Sequence, residues 1–240
     1  MGPGEPLHQL VSGTAVPAPA RPALWLVVPM QGPWPLTEAL LESLQAAAPR
    51  GLLRVLAVEE PSGPGPAALA LRDWRRRLPL TVLRRRAGGP GSLDLGLRLA
   101  LKGGADWIGL LHHDLLLGPG CLDRMLHDAA ATGWQAVSPA TRAGVLDYDF
   151  SAAAAAQFRS GGEPRAGACF EWCVLLTRRA AGLLGRLEAD AGAGAGTGTG
   201  AAFAVLRLAE LGLACGVSRG ALVHHFGPPA PGRRSSRLKG

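Results

Sequence analysis

The stretch Ser92–Leu126, SLDLGLRLALKGGADWIGLLHHDLLLGPGCLDRML, reads as helix, strand, polar triplet and helix in close succession. Residues 92–105, SLDLGLRLALKGGA, follow the Gly-rich turn AGGPG and read as a helix, with Ser92 placed to cap the first turn. Asp106 to Asp114, DWIGLLHHD, is a strand by its apolar run, and it ends in His112, His113 and Asp114. After Gly118-Pro119-Gly120 a second helical stripe begins at Cys121 and stops at Gly133. In an open α/β sheet, ligands bind beyond the carboxyl ends of the strands. The triplet therefore stands where a site belongs.

Outward from this stretch the same alternation continues, predicting an α/β fold with helices on the faces of the sheet. On the amino-terminal side, Ala23–Met30 is a buried parallel strand closed by a polar turn, and the helical stripe of residues 35–48 follows, with Thr37 as a cap. Residues 52–60 form a second strand, 66–78 a second helix and 79–86 a third strand. On the carboxyl side, residues 134–141 form a short strand, while 147–168 show no clear element. Residues 169–187 read as strand then helix, 191–201 as a low-complexity Gly/Ala/Thr loop and 203–212 as a helix. Residues 213–227 give one or two strands ending in His224 and His225.

The chain's 240 residues suffice for one domain with a substantial core. Residues 1–22 read as a Pro/Gly/Ala-rich arm without the features of a secretory leader, 23–227 as the folded domain and 228–240 as a basic tail. No apolar run reaches the ~18 residues needed to cross a bilayer. Cys121, Cys169, Cys173 and Cys215 match neither a disulfide framework nor paired zinc spacing, so a reducing cytoplasm is expected.

The formal charge of +7 and the clusters Arg75–Arg77 and Arg84–Arg86 raise the question of nucleic acid. Lys102 and Lys239 are the only lysines, so the basic excess is arginine and accompanies abundant Gly, Ala and Pro, as in a GC-rich coding sequence. No aromatic residues interleave with the basic runs as stacking platforms would. The charge therefore points to phosphate-bearing ligands or peripheral contact with an anionic membrane face, not to nucleic acid.

A carboxylate and imidazoles at a strand end suit a divalent ion: manganese accepts both ligand types, and magnesium would use the carboxylate with a ligand's phosphates. Strand alternation puts His112 and Asp114 on one face and His113 on the other. The alternative for the triplet alone is a pair of half-exposed histidines at a strand terminus.

Taken in order, LVVPMQGPWPLTEALLESL, VLAVEEPSGPG, the stretch 92–126, CVLLTRRAAGLLGRL and VSRGALVHHFG resemble glycosyltransferase family 2 from about Ala23 to Gly227. The resemblance implies a GT-A fold, a Rossmann-like, mostly parallel sheet flanked by helices. It also implies inverting transfer of a sugar from a nucleotide-diphosphate donor to a hydroxyl acceptor, a glycan or lipid-linked glycan. Pro29, Glu59, Asp94 and His112 match donor-side positions, and Asp114 matches the ligand of a divalent metal, Mn or Mg. His224 or His225 matches a late histidine that completes the metal site, with His225 preferred. One departure stands out. The acidic pair that supplies the family's base falls on Gly200-Ala201, which cannot take a proton, leaving Glu171 and Asp190 as the nearest carboxylates in sequence. Glu171, beside Trp172, is the stronger of the two, since an apolar neighbour raises a carboxyl pKa. The loss of the pair leaves a second expectation open, a degenerate domain that binds nucleotide or a protein partner. A nucleotidyl transferase would need a basic Gly-rich loop after the first strand, which PMQGPWP does not provide.

Overall fold

The computed structural model describes residues 22–30, 33–47, 53–59, 67–84, 91–167, 169, 172–190, 208 and 211–227. The basic tail, almost all of the amino-terminal arm and most of the helix expected at 203–212 lie outside the described residues. Strand β1 (Leu24–Met30) pairs in parallel with β2 (Leu53–Glu59) and β4 (Trp107–Leu111), and β2 pairs in parallel with β3 (Leu80–Arg84). Helices α1 (Trp34–Ala47), α2 (Ala67–Arg77) and α3 (Ser92–Lys102) connect them.

These strands are apolar on both faces because both are covered. The even-numbered side chains Leu24, Leu26 and Val28 enter one core with Leu40, Leu41 and Leu44 of α1. Val27, with Leu56, Val58, Ile108 and Leu110, enters the other, against Leu97 and Ala100 of α3. The period of two along each strand thus sorts the leucines and valines into two layers. Pro29 is tolerated inside β1 because the ladder to β4 ends at Val27–Leu110, and Pro29 pairs only with Val58 of β2.

Beyond β4 the sheet becomes mixed. The remaining elements are β5 (Leu115–Leu117), α4 (Cys121–Thr132), β6 (Ala136–Ala143), α5 (Phe150–Ser160), β7 (Arg165–Ala166), β8 (Cys173–Thr177), α6 (Arg178–Asp190) and β9 (Cys215–His225). The order is β3-β2-β1-β4-β8-β6-β9-β5, with β7 on β9. Antiparallel β8 joins β4 to β6, so β6 and β9 run in the direction of β1 to β4. Their carboxyl ends therefore meet at one edge, together with the start of β5 and of β8. Among the described residues no helix is long and apolar enough to cross a membrane.

Several local expectations are corrected. The N-cap of α3 is Gly91, not Ser92, and α1 starts at Trp34, which places Thr37 inside the first turn as a buried residue. Strand β4 stops at Leu111 instead of running through Asp114. The stretch without a clear element contains α5, where the Asp149 carboxylate accepts from the Ala152 N–H at 3.0 Å and left-handed Gly161 closes the helix.

Helix α3 lies close on β1 because Gly96 has no side chain: a Cβ there would fall 2.2 Å from Val27 Cγ1. Val27 is β-branched and fully buried, so it cannot turn aside. Gly96→Val is expected to cost about 1–3 kcal/mol by overpacking, read as a lower urea midpoint at unchanged slope. A midpoint at or above that of the wild type would contradict this packing.

Candidate metal centre

Strand β4 ends where its last pair with β8, Leu111–Cys173, is made. The His112 N–H then donates to the Trp172 carbonyl at 2.9 Å, the chain bends through His113 and Asp114, and it re-enters the sheet as β5. Leu115 pairs with His225 of β9, and the Phe226 N–H donates to the Asp114 carbonyl at 3.0 Å. The bend and this register bring Asp114, His112 and His225 together at the carboxyl edge. Strand alternation, the sequence argument for pairing His112 with Asp114, does not apply, because neither residue is in a strand.

His225 Nε2 lies 3.4 Å and His112 Nδ1 4.0 Å from Asp114 Oδ1. One ligand atom from each of the three residues falls within 4.8 Å of the others. Two ligands bound at about 2.1 Å to one ion lie roughly 3.0–3.4 Å apart for right-angled to tetrahedral geometry. The His225–Asp114 separation therefore suits flanking an ion better than a direct hydrogen bond. Asp114 Oδ1 is buried without a hydrogen-bond partner among the described residues. An acceptor left in that state is costly, and a cation would satisfy it. The backbone closes tightly on the pair: a Cβ on Gly227 would stand 2.6 Å from His225 Cε1 and 3.2 Å from Asp114 Oδ2.

Electrostatics favour the protonation states that a metal requires. Burial alone would push the Asp114 carboxyl up, but His225 foremost, then His113 and His112, outweigh it and hold the group below the usual aspartate value. Burial lowers His112 and His113, and the attraction of Asp114 opposes this without cancelling it. The carboxylate thus stays charged while the His112 imidazole of the cluster, like its neighbour His113, favours the neutral, lone-pair-bearing form.

His224 faces the other way. Its Nδ1 meets the Tyr148 hydroxyl at 3.0 Å and its Nε2 the Gly144 carbonyl at 3.1 Å, so both ring nitrogens are engaged and it is structural. Of His224 and His225, His225 is the one that the register places beside Asp114. His112, matched in sequence to a donor contact, sits within reach of the same ion position. Glu59 ends β2 and pairs with Arg84 at 2.9 Å, while Asp94, in the first turn of α3, pairs with Arg98 at 2.8 Å. Pro29 and Glu59 stand toward the carboxyl ends of β1 and β2, and β1 lies between β2 and β4 in the sheet. Glu171, the Asp190 side chain and Gly200-Ala201 lie outside the described residues. Sequence reasoning missed the ring contact between Trp172 and His225, stacked at 5.0 Å and 10°. The signal available was the apolar-aromatic setting of FEW, which was used only for Glu171.

In the metal-free protein, the lowered His112 and His113 leave the folded state binding fewer protons than the unfolded chain once pH falls below about 6.5. Stability therefore rises with pH through that window, and Asp114 adds a further loss in stronger acid. Thermal melts in the presence of a chelator are expected to show Tm falling from pH 7.5 to 5.5, with a smaller fall in His112→Asn. A Tm that rises on acidification would contradict these environments.

No protein-family model matches the chain, and no curated protein matches it. Solved structures do. S. aureus TarS 1–349 in complex with UDP superposes with a TM-score of 0.61 at 14% identity, over 84% of this chain and 60% of that one. The same protein in complex with UDP-GlcNAc gives 0.60 at 12%, over 86% and 60%. TarS itself gives 0.62 at 14%, over 86% and 37%. The chain thus spans about 60% of the length of TarS 1–349. At these identities the likeness establishes architecture: this chain has a GT-A-like, Rossmann-like α/β fold.

Proposed function

We propose that this chain is a glycosyltransferase that moves a sugar from a nucleotide-diphosphate donor to a hydroxyl acceptor, with inversion and with a divalent Mn or Mg ion. The carrying observation is the His112–Asp114–His225 cluster at the carboxyl edge of a GT-A-like sheet. The likeness to TarS, solved with UDP and with UDP-GlcNAc, supports a uridine diphosphate sugar as the first donor to try. Asp114, His225 and His112 would hold the ion, which when bound supplies Lewis-acid neutralisation of charge on the departing diphosphate. Pro29, Glu59 and Asp94 take the donor side. Arg84 and Arg98, already paired with the two carboxylates, orient those side chains.

Inversion requires the acceptor hydroxyl to give up its proton as the new bond forms on the face opposite the leaving group. Glu171 is the proposed base, supported by the position of the next residue, Trp172, against His225. The acceptor is a glycan or lipid-linked glycan. A cytoplasmic chain held at an anionic membrane face is consistent with the exposed Arg72, Arg75 and Arg76 of α2. The Gly200-Ala201 substitution favours a second reading, a domain that binds nucleotide without turnover.

One experiment separates the readings: thermal shift with UDP, GDP and dTDP, with and without Mn2+, beside donor turnover. Metal-dependent stabilisation is expected in the wild type, about 2.7 kcal/mol at a hundredfold excess over Kd, and none in Asp114→Ala. Glu171→Gln is expected to keep the nucleotide shift and lose about 10²–10⁴ in turnover. Binding without turnover of any donor would favour the second reading, and neither binding nor turnover would refute both.

A further inference from the structure

A metal-bound histidine ordinarily donates its second ring N–H to a carbonyl or carboxylate, and that outer bond fixes the plane of the ring. His225 lacks this device. Its Nε2 faces Asp114, while its Nδ1 is buried and has no hydrogen-bond partner among the described residues. Something else must hold the imidazole.

The structure assigns this task to Trp172: we propose that its indole, stacked on His225, is the positioning group of the metal site, in place of the absent outer hydrogen bond. The rings are nearly parallel, at 10° and 5.0 Å between centroids. His112 meets the same imidazole edge-on at 5.7 Å and 64°, and the Gly227 backbone blocks its edge. The imidazole is therefore bounded by the indole on one face and by contacts at its rim, with no bond to Nδ1.

Trp172 is itself anchored. It is 8% exposed, and its Nε1–H donates to the Thr141 hydroxyl of β6 at 3.4 Å. Its carbonyl accepts the His112 N–H at 2.9 Å. One residue at the head of β8 thus touches the end of β4, strand β6 and the end of β9. It holds the backbone of one candidate ligand and the ring of another. Loss of the indole would leave both histidines in the chain while loosening their relative placement. This inference rests on the metal-site reading above.

The test is Mn2+ titration calorimetry on the full chain, with Co2+ visible absorption as a readout of ligand geometry. Trp172→Leu is expected to weaken Mn2+ by about 10- to 100-fold and to alter the Co2+ bands. Trp172→Phe, which restores an aromatic face, should recover most of the affinity. Trp74→Phe, in a buried tryptophan of α2 under Arg77, should match the wild type. A purely structural role would lower Tm in Trp172→Leu and leave the Mn2+ Kd and the Co2+ spectrum unchanged, which would overturn the proposal. If Trp172→Leu does not fold, Thr141→Val is read instead. It removes the indole's anchor but keeps the ring, so weaker Mn2+ binding supports the proposal and an unchanged Kd overturns it. A wild-type chain that binds neither Mn2+ nor Mg2+ overturns the metal reading and this inference with it.

Discussion

The register of β9 is the constraint on which the site depends. On one side β9 runs parallel to β6, and on the other it pairs antiparallel with β5, so its last residue is fixed between Ala143 and Leu115. The pairing with β6 is interrupted: Pro139 faces Ser218 but Ala140 faces Leu222, so Arg219, Gly220 and Ala221 are accommodated as a bulge. A slip of one residue would exchange His224 for His225 beside Asp114 and turn the wrong imidazole toward the carboxylate. The bulge is pinned by hydrogen bonds around the buried Asp128 and from α5. Ser218 donates to Asp128 Oδ2 at 2.7 Å, Arg124 donates to Asp128 Oδ1 at 2.9 Å, and Gln157 donates to the Arg219 carbonyl.

With the register set, the local chemistry follows from burial and charge. Asp114 and His225 are drawn into a low-dielectric edge where an acceptor and a ring nitrogen lack hydrogen-bond partners among the described residues. Such groups are destabilising alone, and they persist because the surrounding strands over-determine their positions. Around the cluster the rest of the structure is conservatively satisfied. Asp94, Glu59, Asp128 and His224 each have close polar partners. The contrast singles out the carboxyl edge as the place where stability gives way to ligand chemistry.

The first half of the fold was legible because its strands are buried on both faces and its helices carry simple stripes: Leu24–Met30, Leu53–Glu59 and Leu80–Arg84 stand within a residue or two of their expected bounds. The second half was less so. Helix α5 had a legible cap in Asp149 and a legible stop in Gly161, but its alanine run offers almost no amphipathic contrast. Asp114 and the His225 option were visible as residue types. Their meeting in one site was implied by the family resemblance and by nothing local, because it comes from a β-bulge and from pairing across more than a hundred residues. Trp172 was read for its neighbour and not for itself, since stacking on His225 depends on the same long-range register.

The central claim is that one ion is held jointly by His112, Asp114 and His225. Electron spin-echo envelope modulation of bound Mn2+ tests it directly, because directly bound imidazole nitrogens impose a characteristic modulation. The account predicts nitrogen modulation from both imidazoles, reduced in His225→Gln and in His112→Gln and shifted by ¹⁵N-histidine labelling. Mn2+ bound without nitrogen modulation, or with modulation unaffected by His225→Gln, would contradict it.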